Sequence, residues 1–340
     1  MIPHTLPTWQ SLTWQQQLAD TIRDQTELCQ LLDLDPRQFA ATHLPVDNPS
    51  YARFPLRVPR SFVKRMGRGD LHDPLLLQVL PQYQEAQTQP GFVSDPLRED
   101  EASPNPGIIQ KYQGRALLML TGACAVHCRY CFRRHYPYDQ HRPSKTNWAS
   151  SLRYLQQHPA ITEVILSGGD PLALGDDHLQ WLVDQLAVID HIDTLRIHTR
   201  LPVVIPDRID EACLTWLNQR HLRVVMVIHC NHPNEINADV ADAVARLRSR
   251  DIVILNQAVL LKNINDSLNT LQDLSKKLFK IGVLPYYLHL LDPVAGAHHF
   301  LVDDLRAKRL HDKLKGRLPG YLVPKLVREI PTADAKQVLG

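Results

Sequence analysis

Half of the six cysteines in this 340-residue chain fall within eight residues, as Cys124, Cys128 and Cys131, spaced C-x3-C-x2-C. They follow the apolar run Ala116–Leu120. A strand that empties into such a loop brings three soft thiolates to one point. Three ligands are one fewer than a closed tetrahedral zinc site or a fully ligated four-iron cluster requires. In a [4Fe–4S] cluster one iron would keep a position open for chemistry. The competing reading is a zinc site completed by His127 or His135. Structural zinc sites usually combine two ligand pairs, and the chain has no second C-x2-C.

Cys29, Cys213 and Cys230 stand alone, so the cysteines do not form a disulfide framework and imply a reducing cytoplasm. A net charge of +2 gives no field that would favour nucleic acid or a membrane surface. No apolar run approaches the ~20 residues of a membrane span. Residues 1–10 carry neither a basic nor an apolar leader segment, which argues against a signal peptide.

From Arg115 onward, short apolar runs alternate with amphipathic stretches. The runs are Ala116–Leu120, Glu163–Ser167, Thr194–His198, Arg223–His229, Ile252–Val259 and Leu284–His289. After a longer first interval they start about thirty residues apart, the size of a βα repeat. Apolar strands between helices imply a parallel sheet with a covered outer face. Six units are too few for the eight-fold barrel, so the expected fold is α/β, a partial (β/α)6 TIM-like barrel with its site at the C-terminal strand ends. Candidate ligands do gather there: the cysteine loop, Ser167–Asp170, His198–Arg200, His229–His232, Asn256-Gln257 and Asp292.

The expected divisions are a helical N-terminal region and connector (1–106), the partial barrel (107–300), and a C-terminal helix with a tail (301–340). Residues 8–32 have helical spacing, with short helical pieces near 61–66 and 74–80. Residues 84–106, rich in Pro, Gln, Asp and Glu, read as a surface connector with no chemistry visible. A helix is expected over 302–316, its charges forming a solvated face. The tail beginning at Gly320 reads as a strand-like segment that ends in a polar loop.

Longer motifs now identify a family. CAVHCRYCFRR, SGGDPL, HCNHPNEI, NQAVLLKNIND, PYYLHLLD and GYLVP occur in order, and from about Asp95 to the C-terminus the chain resembles lysine 2,3-aminomutase, a radical S-adenosylmethionine (SAM) family. Its short C-terminus is most similar to the branch that serves (R)-β-lysylation of elongation factor P. The resemblance implies that Cys124, Cys128 and Cys131 hold a [4Fe–4S] cluster, which passes an electron to SAM and releases a 5′-deoxyadenosyl radical. Pyridoxal 5′-phosphate (PLP) would be joined covalently to Lys336. The nitrogen of L-lysine then migrates from C2 to C3 while joined to the coenzyme, and SAM is regenerated.

By position, Ser167, Gly168, Gly169 and Asp170 would hold SAM, with His229 and Gln257. Lys111 and Arg115 would neutralise the PLP phosphate. Arg133 would pair with the substrate carboxylate, for which a guanidinium fork is suited. Asp292 and Glu329 would receive the distal ammonium. Taken singly, Asp292 could cap a turn, Glu329 could be a surface ion pair with Arg328, and His229 could be an interior histidine. The implied partners are L-lysine, an external one-electron reductant, a separate β-lysine ligase and elongation factor P.

Two departures from the family pattern matter. The usual glycine run before the PLP lysine is replaced by Pro331–Ala335, which leaves Lys325 as a competitor for Lys336. The longer aminomutases have a zinc site that begins at a cysteine where this chain has Ser267, and its C-terminal cysteine cluster has no counterpart before Gly340. No structural zinc is therefore expected, and a homo-oligomer that depends on that extension is in question. The rival functions are an aminomutase for arginine or glutamate, a non-catalytic metal-binding protein, and a radical SAM enzyme acting on RNA. Acids at 292 and 329 disfavour glutamate, and the small net charge disfavours RNA.

Overall fold

The computed structural model describes residues 12–138, 145–219, 221–331 and 333–340; the reading of residues 1–10 lies outside them. Nine strands form one sheet in chain order. They are β1 (Ile108–Tyr112), β2 (Arg115–Met119), β3 (Glu163–Ser167), β4 (Thr194–Thr199), β5 (Arg223–His229), β6 (Val253–Val259), β7 (Leu284–His289), β8 (Lys325–Arg328) and β9 (Gln337–Val338). β2 to β8 run parallel, while β1 and β9 pair antiparallel at the two edges. All six expected runs are strands, to within one residue at either end. The helix expected over 302–316 is Asp304–Lys315.

The strand sequences show which face turns inward. In β4, Leu195 and Ile197 are buried in the core beneath the helices, so the alternating Arg196 and His198 face the concave side. In β6, Ile254 and Ala258 face the helices, which puts Gln257 inside. The sheet is rolled. Laid flat, β1 and β8 would lie seven spacings of ~4.8 Å apart, roughly 34 Å. Yet the Tyr112 hydroxyl of β1 donates to Glu329 Oε1, just past β8, at 2.5 Å. The barrel stays open as a hydrogen-bonded sheet, and side chains bridge its seam.

The six expected strands are β2 to β7, and the strand-like segment expected in the tail adds a seventh parallel strand, β8, which begins only after Pro324, a residue with no N–H to give a ladder. Two expectations need correction. Residues 74–80 form turns, because the Asp73 carboxylate accepts from Gly67 N, Leu75 N and Leu76 N and holds the chain in a tight bend. The connector is exposed along most of its length, but it is not without a role: its Glu85 and Glu99 turn inward and are only 5% and 4% exposed. The helical pattern of 8–32 resolves into Trp14–Ala19 and Gln25–Leu31, separated by the Ile22–Val58 bridge. Trp14, Leu28, Phe62 and Leu75 share one core with Leu201 and Val204 behind β4. Among the described residues, no helix is long and apolar enough to cross a membrane.

Candidate active site

The cysteine loop leaves the C-terminal end of β2 and is anchored from both sides. Ala123 N donates to Thr121 Oγ1 (3.0 Å), His127 N to Arg57 O (2.9 Å) and Arg129 N to Gln78 O (2.8 Å). Glu85 takes Arg129 through both oxygens (2.9 and 2.6 Å) and Arg134 at 2.6 Å. Burial alone would raise the Glu85 carboxyl, but the two guanidinium groups outweigh it and hold it below the usual range. The connector, exposed along most of its length, therefore supplies the counter-charge of the cysteine loop through Glu85.

Each cysteine keeps some accessibility, but protein surrounds the sulfurs closely. Burial, then Cys131, Asp170 and Cys128, raises the Cys124 thiol; burial and then Cys128 push Cys131 up to about 11. Three cysteines within electrostatic reach of one another form the soft donor set that an iron–sulfur cluster takes as thiolates. Among the described residues, no three His, Cys, Asp or Glu side chains converge on a single ion. A four-iron cube gives each thiolate its own iron, so convergence is not needed. The histidines of the zinc reading are engaged elsewhere. His127 Nδ1 bonds Pro55 O (2.8 Å), its ring stacked on Phe54, and His135 Nε2 bonds Ala295 O (3.0 Å).

The Ser167–Asp170 turn packs directly on this loop. Gly169 N donates to Thr121 O (2.6 Å) and Asp170 N to Ala123 O (2.8 Å). Gly168 has φ +125°, and a Cβ there would come within 2.6 Å of Thr121 O, so only glycine fits. The Asp170 carboxylate accepts from Thr199 Oγ1 (2.7 Å), Arg200 N (2.7 Å), Leu172 N (3.1 Å) and Leu201 N (3.2 Å), tying β3 to β4 and fixing the turn expected to hold SAM.

His229 and Gln257 stand side by side at the ends of β5 and β6, with Gln257 Nε2 2.8 Å from His229 Nε2. Burial, then Arg200 and Arg133, drops the His229 ring to about 3, so it stays neutral. His198 lies 6.1 Å from it, centroid to centroid, with a buried Nε2 that has no protein partner.

Arg133 is held by both Glu99 oxygens (2.7 and 2.8 Å), and its Nη1 donates to Ser167 Oγ (2.9 Å). Glu99 also lies 3.7 Å from Lys111. Burial works against the charged forms, but these pairings keep Glu99 below and Arg133 above their usual ranges. Glu99 was not singled out in the sequence, although a buried Arg133 needs a counter-ion and the acids nearest upstream lie in that connector.

At the seam, Lys336 is ion-paired with Glu329, whose other oxygen receives the Tyr112 hydroxyl. Arg115 stacks over the Tyr112 ring at 4.4 Å. Burial lowers the Lys336 amine to about 8; Asp292 opposes this, and Lys111, Arg115 and Arg196 reinforce it. Burial pushes Asp292 up to about 6 against the pull of Lys336 and Lys111. Lys336, Asp292, Lys111 and Arg115 therefore lie within electrostatic reach of one another. The set fits PLP: an amine tuned toward its neutral form beside two cations suited to a phosphate.

Ser267, at the position of the longer enzymes' zinc ligand, caps the helix Leu268–Ile281. No protein-family model matches the chain. Likeness to solved structures is partial: Streptococcus suis SuiB has a TM-score of 0.47 at 15% identity, covering 65% of this chain and 50% of that chain. Curated relatives match more fully. L-lysine 2,3-aminomutase of Haemophilus influenzae is 50% identical over 82% of each chain. That of Clostridium subterminale is 34% identical over 79% of this chain and 64% of its own. The Escherichia coli L-lysine 2,3-aminomutase is 47% identical over 98% of this chain and 96% of its own length. A match that runs along nearly the whole of both chains at this identity leaves one assignment: the chain belongs to the L-lysine 2,3-aminomutase family.

Proposed function

We propose that the protein is a radical SAM, PLP-dependent isomerase that moves the amino group of L-α-lysine from C2 to C3 to give β-lysine. The observation that carries this reading is a run of charged groups, paired or within electrostatic reach, from the cysteine loop to Lys336. Arg133, two residues past the last cysteine, shares Glu99 with Lys111, and Lys111 acts in turn on Lys336 and Asp292. When bound, the cluster and SAM supply a carbon radical that takes a hydrogen from C3, and PLP supplies the aldehyde that carries the migrating nitrogen.

The chain's own residues divide the remaining work. Cys124, Cys128 and Cys131 hold the cluster. Ser167, Gly168 and Gly169 present backbone to SAM, with His229 and Gln257 beside it. Glu99 and Ser167 occupy three of the five N–H groups of Arg133, leaving two for the substrate carboxylate. Lys111 and Arg115 take the PLP phosphate. Asp292 and Glu329 receive the distal ammonium, so substrate entry has to part Glu329 from Lys336. Residues 107–300 hold the cluster and SAM, residues 301–340 deliver the amine, and residues 1–106 buttress the cysteine loop.

An amine at about 8 is roughly one-tenth neutral at pH 7, against about one in 2,500 for ordinary lysine. Only the neutral amine adds to an aldehyde, so PLP uptake by the cofactor-free protein should speed up with a midpoint near pH 8. In Asp292→Asn the midpoint should fall, because that carboxylate holds the amine up. Stopped-flow absorbance between pH 6 and 10 checks both. In Glu99→Gln, Arg133 loses its fixed orientation, and KM for L-lysine should rise about tenfold with a smaller change in kcat.

We infer further that the product is the (R) isomer, made in the cytoplasm for a β-lysine ligase that modifies elongation factor P, with a one-electron reductant priming each cycle. Greater identity to the Escherichia coli relative (47%) than to the clostridial one (34%) supports this branch of the family. The arginine alternative is tested by measuring kcat/KM for both amino acids. L-lysine should be preferred, and Asp292→Asn should lower its kcat/KM by about 10- to 100-fold. Preference for L-arginine would overturn the substrate assignment.

A further inference from the structure

The HCNHPNEI motif contributes only His229 to the reaction, yet the rest of it is bound into the cysteine loop. Glu235, fully buried, accepts from Asn231 N (2.9 Å), His232 N (3.0 Å) and Gln78 Nε2 (3.1 Å) through one oxygen. Its other oxygen takes Arg200 Nη2 at 3.1 Å. Arg200, 4% exposed at the end of β4, is fixed further by Gln78 Oε1 (2.7 Å) and by the donation of its backbone N–H to Asp170. The remaining arm of its fork, Nη1, reaches the Tyr130 hydroxyl and Cys128 Sγ, each at 2.7 Å. A salt bridge that served only the fold would need Glu235 alone. Here the fork is aimed, by partners on two other elements, at the sulfur of a cluster ligand.

An N–H donated to a cluster thiolate, together with an adjacent buried positive charge, favours the electron-rich state and raises the reduction potential. We propose that Arg200, oriented by Glu235 and Gln78, is a positioning residue that sets the reduction potential of the iron–sulfur cluster through Cys128 Sγ. The inference rests on the reading of the cysteine loop as a cluster site. Lysine at 200 keeps the charge and loses the fork; glutamine loses the charge.

The test is an EPR-monitored redox titration of anaerobically reconstituted full-length protein, without SAM or L-lysine, alongside an iron count. Wild type, Arg200→Lys and Arg200→Gln would be compared with Arg208→Lys, a buried arginine that bonds Leu172 O and Asp176. Iron content should stay near wild type. The Arg200→Gln midpoint should fall by the equivalent of at least a tenfold change in the reduced-to-oxidised ratio, about 59 mV for one electron. Arg200→Lys should fall less, and Arg208→Lys should not move. If Arg200→Gln does not fold, the shift in Arg200→Lys decides. An unchanged midpoint with iron retained would overturn the proposal, as would loss of iron in both Arg200 variants, which would mark a structural role. Absence of iron from wild type would instead bring down the cluster reading itself.

Discussion

Lys336→Ala should abolish β-lysine formation and covalent PLP attachment, whereas Lys325→Ala should leave both intact. The two lysines differ in where the fold puts them. Lys325 is exposed at the start of β8, whereas burial lowers the Lys336 amine to about 8. Lys336 reaches the seam between β1 and the residue after β8, where Glu329, Asp292, Lys111 and Arg115 surround it. Removing a nucleophile that joins the coenzyme costs at least roughly 10³-fold in kcat. Tyr112 still holds Glu329 in the variant, so the seam persists and the loss is chemical. Borohydride reduction followed by peptide mass mapping should find the PLP adduct on the peptide containing Lys336. An adduct on Lys325, with an active Lys336→Ala protein, would reassign the anchor.

Cys131→Ala should have an effect of similar size by another route. It removes one of three thiolates, so the reconstituted protein should hold far less iron, and SAM cleavage should fall by at least about 10³-fold. The isolated cysteines provide the contrast. Cys230 and Cys29 are buried and donate only to carbonyls, His232 O and Leu34 O, each at 3.5 Å. Cys230→Ala should therefore retain its iron. Absorbance near 400 nm and an iron assay would measure both outcomes, and full iron in Cys131→Ala would exclude this loop as the cluster site.

The strands of the barrel were legible because a strand covered on its outer face must be apolar, and the repeat length separates such strands from helices. The three-cysteine loop was legible because its chemistry is local in sequence. What stayed hidden depends on pairings that span long separations. Glu85 and Glu99 lie in a segment whose composition resembles a solvated loop, and their burial follows from arginines 34 to 49 residues away. A buried carboxylate leaves no periodicity to read. The Arg129, Arg133 and Arg134 cluster beside the cysteines was the available signal, since buried guanidinium groups require partners. β1 was missed because its tip, with Gly114 at φ +80° two residues before Ala116, could equally have ended a loop. Its Tyr112 proves to span the barrel seam. The part Asp170 plays in tying its turn to β4 also stayed hidden, since three of its four donors belong to residues 29 to 31 positions away.

The most direct test is to incubate the anaerobically reconstituted protein with L-lysine, SAM, PLP and a one-electron reductant, and to separate the amino acids by chiral chromatography. β-Lysine should accumulate over many turnovers per SAM, and should vanish when SAM, PLP or reductant is omitted singly. SAM cleavage with no β-lysine, or β-lysine formed without SAM, would contradict the account.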